Sequence, residues 1–263
     1  MTYGQATVFG AVQGLTEFLP VSSSAHLTLL PWVLGWEDPG LTFDVALHIG
    51  TLAAVVSCFW RDWLDILRGA ARDRRGAQAR FLGLLVLATL PAVAAGLILE
   101  DQAEHAFRQP WRIATALMGF AVLMELADRW GTKKRALDQL GLSGAVGIGL
   151  AQALSICPGV SRSGVTLTAG LALGLSRAEA ARYSFLLSTP ITAGACLLKL
   201  RHLQIGDASG PFLWGIAVSA VMGFAAVRFF LANLGSLSLR PYVVYRLLAG
   251  GAILWAAASG FRA

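Results

Sequence analysis

The sequence predicts an all-α integral membrane protein built as an inverted-topology repeat, with six full transmembrane helices and two re-entrant half-helix hairpins. Three observations carry this. Of the 263 residues 56% are hydrophobic and only 14% charged, with a mean hydropathy of +0.63, outside the balance of a soluble domain. Two stretches 139 residues apart echo each other: Gly10 to Leu29 reads GAVQGLTEFLPVSSSAHLTL, and Gly149 to Thr168 reads GLAQALSICPGVSRSGVTLT. Basic residues gather in two of the segments between apolar runs.

The elements follow in order. The first echoing region, about 3–35, is interrupted by Pro20, and each half is too short to span hydrocarbon, so it reads as a re-entrant pair. Apolar runs of spanning length then cover roughly 41–60, 81–99 and 111–126. The second echoing region, about 142–175, is interrupted by Pro158, and runs at 180–199, 211–232 and 242–261 complete the chain. The whole reads as one membrane domain over 1–263, with one copy of the unit at about 1–130 and the other at about 140–263. Three crossings per copy, an odd number, reverse the second copy relative to the first. The breaks are then expected to enter from opposite leaflets and meet near mid-membrane, where irregular backbone survives only inside protein or beside water.

The net charge of +6 is a matter of topology rather than of nucleic-acid binding. Arg61, Arg68, Arg72, Arg74, Arg75 and Arg80 share one inter-span loop, and Arg129, Lys133, Lys134 and Arg135 another. The positive-inside rule makes both cytoplasmic and sets the Glu100–Arg108 loop and both termini outside. No basic segment precedes the first apolar stretch, so a cleavable signal is not expected. Cys58, Cys157 and Cys196 stand singly, without disulfide or zinc spacing.

The breaks carry the polar groups. After Pro20 come Ser22, Ser23 and Ser24, and after Pro158 come Ser161, Arg162 and Ser163, all good residues for capping a following half-helix. Two converging helix N-termini make an anion site, and Arg162 adds a planar donor fork suited to phosphate. Gln13 and Glu17 share a helix face, and a buried carboxylate calls for a cation or a donor. A divalent metal between Glu17 and a phosphorylated ligand would supply one. His26 follows Ser23 by about one helical turn, an arrangement suited to a general base acting on Ser23 or on a water. Asp44 and His48 are candidates for the cavity mouth. Glu125, Arg228 and Arg246 fall near span ends and are expected to snorkel. Glu100, Glu104 and His105 read as a solvated external loop.

With these residues in view, the chain resembles the bacitracin-resistance family of undecaprenyl-diphosphate phosphatases. The carrying motifs are QGLTEFLPVSSSAH at Gln13–His26 and PGVSRSGVT at Pro158–Thr166, and the likeness continues through TFDVALHIGT at Thr42–Thr51 and RYSFLLSTP at Arg182–Pro190. The resemblance implies removal of the terminal phosphate from undecaprenyl diphosphate in the bacterial inner membrane, recycling the lipid carrier for cell-wall synthesis. It implies Glu17, Ser23, His26 and Arg162 as catalytic residues, with Ser22, Ser24, Ser161, Ser163 and Thr166 binding substrate. It also implies a divalent cation, Mg or Ca, held by Glu17 and Gln13, and a site facing the periplasm. Many members carry Glu where this chain has Gln13, which leaves Glu17 the carboxylate role. A homodimer is compatible with the sequence and not fixed by it. The rival reading is a polyprenyl-phosphate flippase or secondary transporter using the same cavity, which fold class alone does not separate from an enzyme.

Overall fold

A computed structural model describes residues 1–200, 209–233 and 238–261. The chain is all-helical, with twelve α-helices among the described residues. Four are long and apolar enough to cross a membrane: α5 (Ala77–Ile98), α7 (Pro110–Trp130), α11 (Gly210–Asn233) and α12 (Arg240–Ala258). The run predicted at 41–60 forms α3 (Gly40–Cys58), which turns through 71° into α4 (Trp60–Arg72), so the bent pair makes a fifth candidate span. The loop expected after that run therefore opens as a helix. Its residues alternate in helical period between Trp63 and Ile66 on one side and Arg61, Arg68 and Arg72 on the other, a pattern that stabilises a helix lying along an interface. The run at 180–199 falls within α10 (Arg177–Leu200).

Both echoing regions break where the prolines stand. The first forms α1 (Tyr3–Phe18) and α2 (Ser23–Leu34); the second forms α8 (Leu142–Ala153), a 3-10 turn at Leu154–Ile156, and α9 (Arg162–Ala172). The short helix α6 (Glu100–Glu104) completes the set. Small residues explain how the interrupted helices are held. A methyl group on Gly14 of α1 would lie 2.6 Å from the Ser219 carbonyl oxygen of α11, and one on Gly149 of α8 would lie 2.6 Å from the Ala88 carbonyl of α5. Backbones this close exchange dispersion contacts that larger residues would prevent. The echoed Gly10 plays the same part against Gly215 of α11.

The main core lies where α3, α5, α7, α9, α10, α11 and α12 meet, around Leu85, Met124, Leu187 and Val227. At one edge of it the buried Asp128 carboxylate ends α7, accepts two bonds from Arg177 at 2.7 and 3.0 Å and one from the Leu239 N–H at 3.4 Å. The bidentate pair ties the start of α10 to the end of α7, and the Leu239 bond ties the start of α12 to it.

Candidate active site

Each break is built on a serine in the left-handed region. Ser22 has φ 74° and Ser161 φ 70°, a conformation unfavourable for a residue with a side chain and found where the surroundings impose it. Each serine then caps the helix that follows: Ser22 Oγ accepts from Ala25 N–H at 3.4 Å, and Ser161 Oγ from Gly164 N–H at 3.1 Å. The partner hydroxyls repeat as well, Ser22 to Ser24 and Ser161 to Ser163, both at 3.3 Å.

The two breaks are in direct contact. Gly159 N–H donates to Ser22 Oγ at 3.0 Å, and Ser163 Oγ donates to the Leu19 carbonyl at 3.2 Å. Gly159 itself has φ +99°, and a Cβ there would lie 2.5 Å from the Ile113 carbonyl, so the position admits only glycine. Arg246, with 0% of its surface exposed, sits behind both. Its guanidinium donates to Pro20 O at 3.2 Å in the first break and to Gly159 O and Val160 O at 2.7 and 3.1 Å in the second, while Nε bonds Leu117 O of α7 at 3.1 Å. The snorkelling expected of Arg246 is thus corrected. Breaking two helices leaves carbonyls without ladder partners, and a five-donor fork satisfies them where no water reaches.

In front of the breaks opens a cavity of about 520 Å3. Its polar wall carries Glu17, Ser23, Ser24, Ser161, Arg162 and Thr192, and beside them Asp44, His48 and Arg108. Glu17 Oε1 accepts from the Arg162 guanidinium, which also reaches Thr192 Oγ1 and, at 3.3 Å, the Ser188 carbonyl. Glu17 Oε2 accepts from Ser23 Oγ at 2.5 Å and from Gln13 Nε2 at 3.0 Å. A carboxylate with 7% exposure is tolerable only with such compensation. Farther along the wall, Arg108 joins Asp44 at 3.2 Å and Asp38 at 2.8 Å. The opposite side is apolar, formed by Ala92, Val93 and Leu97 of α5 and Ile191, Ala195 and Leu198 of α10.

A headgroup-sized polar pocket joined to an apolar cleft suits a charged lipid. The model of the family described as "Bacitracin resistance protein BacA" matches residues 6–252. Similar relatives include the undecaprenyl-diphosphatases of Pelotomaculum thermopropionicum, 48% identical with 98% of each chain covered, and of Geobacter metallireducens, 50% identical over 95% of this chain and 96% of the relative. That of Alcanivorax borkumensis is 47% identical, with 97% and 99% covered. The chain belongs to the BacA family.

Within this BacA chain the residues singled out from sequence separate into two groups. Glu17, Ser23, Ser24, Ser161 and Arg162 lie on the cavity wall. Ser22, Ser163 and Thr166 do not: the first two cap and cross-link the breaks, and Thr166 Oγ1 is spent on the Arg162 carbonyl at 2.8 Å and Ser184 Oγ at 2.6 Å. Ser22 and Ser163 are engaged across the two breaks, and Thr166 is engaged by a carbonyl of its own helix and a hydroxyl of α10. His26 also departs from expectation. Its Nδ1 donates to the Ser22 carbonyl at 2.7 Å, its Nε2 accepts from Tyr245 OH at 2.5 Å, and its ring stacks on Tyr245 at an interplanar angle of 8°. Both nitrogens are engaged and neither meets Ser23, because the course of α2 turns the ring toward α12 and away from the cavity. Gln13, fully buried, stands behind Glu17 and offers it an N–H. That position orients the carboxylate and places the amide off the cavity wall.

Among the described residues no three His, Cys, Asp or Glu groups converge as a metal cage. The donors facing the cavity are Glu17 Oε2, His48 Nε2 at 3.4 Å from it, and Asp44, whose Oδ1 is buried without a partner. Such a sparse set fits an ion that arrives with phosphate oxygens and waters of its own. The side chains of Glu100 and Glu104 lie outside the described residues.

Proposed function

We propose that this chain hydrolyses undecaprenyl diphosphate through nucleophilic attack by Ser23. The chain is an undecaprenyl-diphosphatase and a multi-pass membrane protein. The observation that carries the mechanism is the Ser23–Glu17–Arg162 series on the cavity wall, a hydroxyl donating to a buried carboxylate that is itself held by a guanidinium.

The diphosphate enters the polar pocket while the prenyl chain leaves through the apolar cleft between α5 and α10. Arg162 and the N–H groups opening α2 and α9 neutralise the phosphates and the charge developing on the leaving oxygen. Glu17 Oε2 takes the Ser23 proton as Oγ bonds to the terminal phosphorus, and the bridging P–O bond breaks with its electron pair leaving on undecaprenyl phosphate. Water then cleaves the phosphoserine, releasing phosphate and restoring the hydroxyl. His26 serves as a positioning residue for the Ser22 carbonyl and the break. A divalent cation, Mg or Ca, held by Glu17 together with the substrate's oxygens would supply further charge neutralisation when bound. Gln13 holds Glu17 in place for it.

The finer architecture is part of this reading. The six crossings are α3, α5, α7, α10, α11 and α12, the interrupted regions enter from opposite leaflets as inverted repeats, and the cavity opens to the periplasmic side of the inner membrane, opposite the basic loops. The matched serine φ values and caps of the two breaks support it.

The experiment is phosphate release from purified protein in detergent, with acid-quench trapping of a phosphoenzyme. Wild type is expected to yield phosphoserine at Ser23, and Ser23→Ala to lose turnover. Near-normal turnover by Ser23→Ala would exclude the covalent route and leave direct attack by water.

A further inference from the structure

We infer that Thr192 is a further ligand of the substrate's phosphate, donating the hydroxyl proton that its bond with Arg162 leaves free. The inference deepens the reading above and rests on it for the identity of the ligand.

Thr192 stands within α10, where a threonine ordinarily turns its hydroxyl back onto the carbonyl four residues earlier. Thr7, Thr16, Thr89, Thr115 and Thr168, also in helices, do this at 2.6 to 2.8 Å. Thr192 differs. The carbonyl four residues before it, Ser188 O, accepts from Arg162 Nη1 at 3.3 Å, and Thr192 Oγ1 faces the same nitrogen. A guanidinium only donates, so Thr192 Oγ1 is the acceptor and its single proton points elsewhere. Among the described residues no acceptor takes that proton, and the side chain is buried, on the cavity wall. A buried O–H is costly without a partner, and the cavity is where one can arrive. The serines of the same wall are already engaged: Ser23 donates to Glu17 at 2.5 Å, and Ser24 and Ser161 pair with Ser22 and Ser163, both at 3.3 Å.

Two features make a phosphate oxygen the fitting acceptor. Accepting from a cation polarises the O–H bond and strengthens its donation to an anion. The adjacent guanidinium also gives the spot a positive potential, which favours a charged oxygen over a neutral one. Ile191 and Ala195, on either side of Thr192 in sequence, belong to the apolar cleft. One helix thus holds the headgroup through Thr192 and the prenyl chain through its neighbours, which fixes how deep the diphosphate sits. The competing reading is that Thr192 only steadies Arg162 and never touches substrate.

The test uses the reconstituted full chain with 13C-labelled threonine and methylenediphosphonate as the probe. Magic-angle-spinning NMR of wild type is expected to show dephasing of a threonine Cβ by the probe's 31P. Thr192→Ser should keep the hydroxyl and the bound probe while losing that signal, since its serine carries no label. In detergent, Thr192→Val should lower kcat/KM for undecaprenyl diphosphate about tenfold or more, with Thr192→Ser within about threefold of wild type. No dephasing in wild type would reduce Thr192 to a support for Arg162, and dephasing that persists in Thr192→Ser would belong to another threonine such as Thr28, which also lines the cavity. Near-normal turnover by Thr192→Val, or a loss in Thr192→Ser as large as in Thr192→Val, would equally overturn the assignment. The NMR comparison of wild type and Thr192→Ser decides the matter even where the valine variant fails to fold. Phosphate release by the same wild-type preparation separates the two readings: turnover without dephasing sinks the ligand, and dephasing without turnover sinks the mechanism.

Discussion

Replacing Arg246 with methionine tests whether the two breaks are held together by one buried guanidinium. The substitution keeps most of the side-chain volume and removes every donor. Leu117 O belongs to the ladder of α7, but Pro20 O, Gly159 O and Val160 O lie in the breaks, where Arg246 is their donor. Orphaning three buried carbonyls at about 1–3 kcal/mol each gives a gross loss of roughly 3–9 kcal/mol. Relief from burying a charge offsets part of this, leaving a net destabilisation of about 4 kcal/mol. For a chain of this size that corresponds to a fall in Tm on the order of 10 °C. Activity should drop as well, although Arg246 is not on the cavity wall, because Ser161 and Arg162 are carried by the break it clamps; a misplacement of about 1 Å costs on the order of a hundredfold in kcat/KM. The assay pairs a tryptophan-fluorescence melt in detergent with phosphate release. Arg246→Lys should fall between, since one ammonium lacks the planar fork. An Arg246→Met protein melting within about 2 °C of wild type, on the scale of under 1 kcal/mol, with activity within threefold would refute the reasoning.

Two further outcomes follow from the cavity. Arg162→Ala removes a guanidinium from the polar wall and strands the Glu17 charge; kcat/KM should fall at least a hundredfold, about 3 kcal/mol of transition-state stabilisation, and a change under threefold in steady-state phosphate release would remove Arg162 from the mechanism. Gly96 lines the cavity beside Val93 and Leu97, and a Cβ there meets nothing within 4 Å. Gly96→Leu should therefore leave the melt unchanged while raising KM for the C55 substrate about tenfold. A short soluble prenyl diphosphate should be spared, and equal effects on both substrates would show that the cleft does not carry the tail.

Membrane character, the two interruptions and the polar residues clustered at them were determined by the sequence alone, because composition, proline and runs of hydroxyls act locally. Glu17, Ser23 and Arg162 could be named for the same reason, since a carboxylate, a hydroxyl and an arginine inside apolar helices have few uses apart from one another. What tertiary structure decided was the pairing. Ser22, Ser163 and Thr166 look like substrate ligands in one dimension, yet three-dimensional contact commits the two serines to backbone of the opposite break and Thr166 to its own helix and Ser184. His26 has the right spacing for Ser23 and the wrong direction, because α12 brings Tyr245 to its ring. Arg246 reads as a surface charge near a helix end, and only the meeting of two breaks 226 and 87 residues away in sequence supplies the carbonyls that make its burial favourable. Local chemistry announces that polar groups are present; which of them remain free for a substrate depends on the partners that folding assigns to the rest.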